Sequence, residues 1–192
     1  MKNIGKIQLL LGLILLFQSC DQEDRNINFG YWPCCGIDPY EYDVEFPDGS
    51  KAYVYVPNVF TPNGDGINDK FAPLLTDQLD HFENLVIRKE DANGNRILLY
   101  QTEIIDANNI KEKSWDGRDQ NYNLHKGIFS YIVTCVTKSG TVFGVQSTAC
   151  SVICDDEAST IFKNKLGCFF SSQSNSNGHL IKTISSRELD CF

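Results

Sequence analysis

Leu85-Val86-Ile87-Arg88-Lys89-Glu90-Asp91-Ala92-Asn93-Gly94-Asn95-Arg96-Ile97-Leu98-Leu99-Tyr100 is the stretch that decides the fold. Leu85-Val86-Ile87-Arg88, apolar up to Arg88, and Ile97-Leu98-Leu99-Tyr100 favour extended backbone. Between them, residues 91–95 supply the Asn and Gly that tolerate the positive φ of a tight turn, so the segment predicts a β-hairpin. Downstream, residues 128–136 and 141–147 flank Lys138-Ser139-Gly140 and predict a second hairpin. Upstream, residues 52–56 read as a strand that runs into a loop over 57–69. No long stretch keeps the 3.6-residue period of an amphipathic helix. Short strands with regular turn signals indicate an all-β, antiparallel sandwich.

Toward the N-terminus, Lys2 and Lys6 precede an apolar run over residues 7–17, which ends in Gln18-Ser19-Cys20. That is the layout of a signal peptide. A run of about 11 residues falls well short of the roughly 20 needed to cross a bilayer. The small residue before cysteine in Ser19-Cys20 fits a lipoprotein signal, because the thiol must be free to accept a diacylglycerol. Residues 1–19 are therefore expected to be the signal peptide and Cys20 the lipidated residue, held on the outer membrane at the cell surface by its acyl chains. Plain secretion, with Cys20 in a disulfide, is the other reading. Asp21-Gln22-Glu23-Asp24 resembles the surface-export signal of Bacteroidetes lipoproteins, or is simply a solvated acidic tether. Residues 20–50, with Pro33, Pro39, Pro47 and Asp48-Gly49, read as that tether.

Loss of residues 1–19 removes Lys2 and Lys6 and leaves 15 basic against 25 acidic residues. A net charge near −10 excludes nucleic acid as a partner, since phosphate contacts rely on clustered Lys and Arg. Eight cysteines in an exported chain point to an oxidising compartment. With Cys20 lipidated, the disulfide candidates are Cys34, Cys35, Cys135, Cys150, Cys154, Cys168 and Cys191. Their number is odd, so one thiol is expected to be free or paired between molecules. The adjacent Cys34 and Cys35 are not expected to bond each other, and Cys168 with Cys191 is the preferred pair. Zinc is the rival use of these thiols, but no Cys-x-x-Cys occurs.

Within the loop Asn63-Gly64-Asp65-Gly66-Ile67-Asn68-Asp69, oxygen-bearing residues lie two and four apart around glycines. One reading is a structural calcium held by Asn63, Asp65, the Ile67 carbonyl and Asp69. In the other, the Asn and Asp side chains bond their own backbone and shape a turn. No other cofactor is indicated. Trp115 is expected in the core with Asp116 capping the turn, and Phe129 and Tyr131, two apart on one strand, should share a packed face. Gly-x-Ser-x-Gly, His-Glu-x-x-His and phosphate-cradling loops are all absent, so no enzyme is expected. Asp106, Asp116 and Asp119 are the carboxylates a glycosidase would need, a coincidence natural in so acidic a chain.

Val56-Pro57-Asn58-Val59-Phe60-Thr61-Pro62-Asn63-Gly64-Asp65-Gly66-Ile67-Asn68-Asp69-Lys70-Phe71 resembles the opening of the gliding motility-associated C-terminal domain, the type B sorting domain of the type IX secretion system in Bacteroidetes. Ser114-Trp115-Asp116-Gly117 and Gly127-Ile128-Phe129-Ser130-Tyr131 resemble its second landmark, so the resemblance spans about residues 53–150. Ile87-Arg88-Lys89-Glu90 stands where the family carries Arg-Trp-Gly. The resemblance implies an immunoglobulin-like β-sandwich at a cell surface. The expected organisation is a signal peptide (1–19), a tether (20–50), the sandwich (51–153) and a cysteine-containing extension (154–192), in which 166–170 and 179–184 would be two strands around 171–178. The expected function is a non-catalytic lipoprotein module, binding or structural, associated with gliding motility or type IX secretion. Its partners would be the membrane through Cys20 and a surface protein, a glycan or the secretion machinery. An adhesion-like module unrelated to secretion is the alternative.

Overall fold

The computed structural model describes residues 39–46, 49, 51–155, 167–188 and 191. Cys20, the acidic run 21–24, Cys34 and Cys35 lie outside the described residues. The chain runs through β1 (Tyr40–Glu45), β2 (Lys51–Val56), β3 (Val59–Phe60), β4 (Leu79–Glu90), β5 (Arg96–Ile105), the single turn of helix α1 (Ile110–Lys113), β6 (Gly127–Thr137), β7 (Val142–Ser151) and a 3-10 turn at Ser171–Gln173. None of the described helices is long and apolar enough to cross a membrane.

Turn chemistry fixes both hairpins. The Asp91 carboxylate accepts the N–H groups of Asn93 at 2.8 Å and Asn95 at 2.9 Å, and Gly94 takes φ 81°. β4 and β5 pair antiparallel on either side of it. In the second hairpin the Gly140 N–H reaches the Thr137 carbonyl at 2.9 Å, with Gly140 at φ 85°, and β6 pairs with β7 from Gly127↔Ser151 to Val136↔Val142.

The five-stranded sheet has the order β3-β7-β6-β4-β5, and β1-β2 forms a separate two-stranded sheet. The expected all-β sandwich is present, with one parallel pairing in its larger sheet, and the expected tether boundary needs correction. The larger sheet is not purely antiparallel, because β3 lies parallel to β7 through Val59↔Cys150 and Phe60↔Ser151. Residues 40–45, read as tether, form β1 and pair with β2 from Tyr40↔Val56 to Glu45↔Lys51. Tyr40 packs against the core, so pairing plus burial overrides the flanking prolines.

Alternation along the strands builds the core. Phe129, Tyr131, Val133 and Cys135 of β6 face the same way, and Phe82, Leu85 and Ile87 of β4 join them. Val54 and Val56 close the layer from β2, giving an all-β sandwich. Cys135 is a free thiol, and burial pushes it up to about 12, so it is a packing residue without nucleophilic reactivity. The open edge at β5 carries a bulge: Ile87 faces Tyr100 while Arg88 faces Leu98, which leaves Leu99 as an extra residue. Such a bulge twists an edge away from edge-to-edge pairing.

Among the described residues, the C-terminal extension is not a hairpin of two strands. Its described part has the 3-10 turn and an isolated bridge between Ser174 and Leu180. Nor is Cys168 bonded to Cys191. Cys191 pairs with Cys154, with 4.7 Å between their Cα atoms, and Cys150 and Cys168 are each disulfide-bonded. Cysteine spacing alone cannot choose a connectivity.

Candidate functional site

Three stretches distant in sequence converge at one end of the sandwich. Phe60 lies in β3, Phe71 follows the loop, and Phe71 exchanges backbone hydrogen bonds with Trp115 at 2.8 and 3.0 Å. That exchange brings the Trp115 ring to 5.3 Å from Phe60 and 4.9 Å from Phe129, centroid to centroid, and Phe71 stands 4.8 Å edge-on to Phe129. These are the offset and edge geometries aromatic rings prefer. Trp115 is fully buried, and its Nε1 donates to the Arg118 carbonyl at 2.7 Å. Asp116 accepts the Arg118 N–H at 3.1 Å, capping the turn as expected. Gly117 takes φ 82°, and a Cβ there would sit 2.8 Å from Pro62, so the Trp-Asp-Gly turn packs directly on Pro62 and the Phe60 ring.

His125 borders this cluster, its ring 6.1 Å from Trp115 and its Nε2 3.0 Å from the Ile128 carbonyl. Burial holds its imidazole below the usual histidine range. A base depressed in the fold binds fewer protons there than in the unfolded chain, so its stabilising contribution is present above pH about 6.5 and is lost as pH falls from there through the folded value. We expect stability to fall as pH drops below about 6.5 and His125→Gln to flatten that slope, as read by urea titrations at a series of pH values. The oppositely shifted His81, raised by hydrogen bonds to Asp80 and Glu83, loses its contribution only as pH rises above the unfolded value, so the two windows do not overlap.

The loop between β3 and Phe71 is closed by its own side chains. Asp69 accepts the N–H groups of Gly64 at 2.5 Å and Gly66 at 2.6 Å, one on each carboxylate oxygen. Asp65 accepts the Ile67 N–H at 2.7 Å, and Asn63 Oδ1 accepts the Asp65 N–H at 3.1 Å. Gly64, Gly66 and Asn68 all have positive φ, and the Thr61 N–H donates to the Asn68 carbonyl at 2.9 Å across the loop mouth. Of the expected calcium set, Asn63, Asp65 and Asp69 thus shape the turn through their side-chain oxygens, and Ile67 joins them through its N–H.

Glu188, from the extension, lies against this loop and is fully buried. It accepts Thr61 Oγ1 at 2.5 Å, Asn63 Nδ2 at 3.1 Å and Asn68 Nδ2 at 3.1 Å. Burial holds its carboxyl above the usual carboxylate range, with the Asp65 charge acting the same way and the hydrogen bonds from Thr61 and Asn68 opposing. The Cys154 and Cys191 sulfurs and a Glu188 carboxylate oxygen all lie within 4.8 Å of one another. Those sulfurs are bonded to each other and offer no thiolate to zinc. Sequence reasoning missed Glu188, because more than a hundred residues separate it from the loop it plugs.

The remaining carboxylates also hold turns. Asp106 Oδ1 accepts the N–H groups of Asn108 and Asn109 at 2.8 and 3.1 Å, and Asp119 Oδ1 those of Asn121 and Asn123 at 2.8 and 2.9 Å. Asp106, Asp116 and Asp119 therefore each serve a separate turn rather than forming a facing pair.

The stretch that carries the signature loop, the Trp-Asp-Gly turn and β6 matches a known family model. The family model CHU_C, described as a type IX secretion signal domain, matches residues 54–145. That stretch is similar to the CHU_C family. The family is one of non-catalytic sorting signals, and its presence implies a secreted or cell-surface-associated protein. The folded unit is wider than the matched stretch: β1 pairs with β2 ahead of it, and β7 continues to Ser151, where Ala149, Cys150 and Ser151 are all buried. A comparison with curated proteins gave no match.

Proposed function

We propose that the protein is an exported lipoprotein, anchored at the outer face of the outer membrane through a lipid on Cys20, whose CHU_C domain serves the type IX secretion or gliding apparatus as a non-catalytic binding or structural module. The observation that carries this reading is the signature loop, whose carboxylates hold turns and whose shape is set by backbone bonds to Asp65 and Asp69. A loop held in one shape by its own side chains supports a role in recognition. Ser19-Cys20 after the apolar run supports the anchor.

Protease shaving of intact cells carrying the wild type or Cys20→Ala, with mass analysis of the mature N-terminus, tests the anchor. An acylated Cys20 and loss of the wild-type protein on shaving are expected, whereas an unmodified Cys20 with the protein in the medium or periplasm overturns it. Deletion of residues 57–150 tests the secretion role: lost export supports it, and normal display with lost partner binding supports an adhesion-like module instead.

Calcium at Asn63, Asp65, Ile67 and Asp69 is a second reading, supported by the lack of any ion-paired Lys or Arg beside Asp65, Asp69 or Glu188 among the described residues. Because amide donors already close the loop, the melting midpoint is expected to differ by no more than about 1 °C between calcium and chelator. A rise of several degrees with calcium would establish the ion instead.

A further inference from the structure

Val54 and Val56 of β2 close one face of the five-stranded sheet. Alternation sends Phe82, Ile87, Phe129, Tyr131 and Val133 toward them, so Val86, Ile128 and Ile132 point away from the core. Strand pairing sorts this outer face into rows across β5, β4 and β6. Gln101, Val86 and Ile132 form the central row. Ile104, Glu83 and Thr134 lie on one side of it, and Leu98, Arg88 and Ser130 on the other. Val136 and Ile128 follow on β6 at the two ends. Ile104, Ile128 and Ile132, with Val142 opposite Val136 on β7, stay 42–60% exposed. Apolar side chains scattered singly over a surface are ordinary, but a patch shared by neighbouring strands marks a contact surface.

The charges on this face are disposed symmetrically about its central row. Glu83 stands one row to one side and Arg88 one row to the other. Two rows, about 13 Å of strand, keep them from meeting within one chain. The Glu83 carboxylate meets His81 Nε2 at 3.1 Å, whereas Arg88 has no ion pair among the described residues. A second copy turned over about an axis that crosses the strands along the central row exchanges the two outer rows. Glu83 then faces Arg88 of the second copy, and Arg88 faces Glu83, giving two opposite-charge pairs. Ile104 meets Leu98, Val136 meets Ile128, and Val86 and Ile132 each meet themselves. On β7, Gly144 comes opposite Thr148, and space is open around the position its Cβ would take, as close approach of another chain requires. An axis along the strands would instead set Arg88 opposite Ser130, with no charge to meet.

We propose that the outer face of the five-stranded sheet binds a second copy of this chain, in a two-fold dimer whose axis crosses the strands through Val86 and Ile132. Such an interface is isologous: the same patch serves both partners, and self-complementarity is what it demands. Four strands about 4.8 Å apart and about 30 Å long present on the order of 550 Å² before side-chain relief is added. That approaches the roughly 800 Å² per partner of a standard stable interface. The dimer goes beyond the secretion reading and stands without it.

The test is sedimentation equilibrium of the full chain carrying Cys20→Ser, so that no acyl chain adds association of its own. A monomer–dimer equilibrium in the micromolar range is expected. Ile132→Arg, which sets two like charges against each other on the axis, should weaken the dimer at least about tenfold. Arg88→Glu should weaken it by about tenfold as well, because Glu83 of the second copy then meets a like charge. Glu83→Arg combined with Arg88→Glu exchanges the signs and should bring the dimer back to within about threefold of its original strength. Near-ultraviolet dichroism checks that each variant keeps the native packing. Where Ile132→Arg fails that check, Ile132→Thr, a good strand residue without the apolar contact, takes its place and should weaken the dimer severalfold. A monomer at every concentration up to about 100 μM, too weak for an interface of this size, overturns the proposal. So does a dimer indifferent to the change at Ile132, or a double exchange that stays as weak as Arg88→Glu alone.

Discussion

Trp115→Ala is expected to lower the free energy of unfolding by about 3–5 kcal/mol, the range for deleting a large buried aromatic. Trp115 is fully buried among Phe60, Phe71 and Phe129. Its removal leaves a cavity at the point where β3, the stretch after the signature loop and β6 touch together. Loss of Nε1 also takes the side-chain donor from the Arg118 carbonyl. Urea titration followed by far-ultraviolet dichroism should show a lower midpoint with an unchanged slope. Trp115→Phe, which keeps a ring but not the Nε1 donor, should lose less than half as much. Tryptophan emission is a poorer probe, because the chain's other tryptophan, Trp32, stays in the variant. A loss below about 1 kcal/mol would mean that the site collapses around the smaller side chain, and that the aromatic cluster does not hold the loop.

The two hairpins were legible because their causes are local. Asp91, Gly94 and Gly140 each act within four residues of themselves, so spacing along the chain is enough to place the turns. The core positions Trp115, Phe129 and Tyr131 were legible for a similar reason, since alternation sends every second strand residue to one face. β1 was missed although Tyr40-Glu41-Tyr42-Asp43-Val44 alternates, because Pro39 and Pro47 at its ends and the Asp48-Gly49 turn carry equal weight in a tether. It becomes a strand by pairing with β2 and packing Tyr40 on the core, and neither is visible locally. The role of the extension was illegible in principle. Glu188 and Phe170 act on Thr61, Asn68 and Val59 over separations that no periodicity records. Asn58 lay in the expected loop over 57–69 with no role of its own, yet it is the residue that reads the backbone of 167–169.

Cys154→Ser with Cys191→Ser is the second change with a large expected effect. The bond closes a loop with a sequence separation of 37 residues, for which chain entropy alone predicts up to about 4 kcal/mol. Cys168 is itself disulfide-bonded and keeps the near end of the extension fixed, so a loss of about 2–3 kcal/mol is the better expectation. The loss should be uneven. Amides that depend on the docked extension, Phe169 and Ile181, should lose protection, whereas the β6 amides, bonded on both sides to β4 and β7, should keep theirs. Loss of the bond also frees the backbone beside Glu188, whose carboxyl is held above its ordinary range by burial. An acid raised in the fold binds more protons there than in the unfolded chain, so its contribution is present below the unfolded value near about 4.3 and fades as pH rises through the folded one. The extension of the double variant should therefore open more readily at about pH 7 than at about pH 4. Hydrogen exchange at the two pH values, corrected for intrinsic rates, checks both claims. Equal deprotection of β6 and the extension would show that the disulfide braces the whole sandwich, not the segment lying over its signature loop.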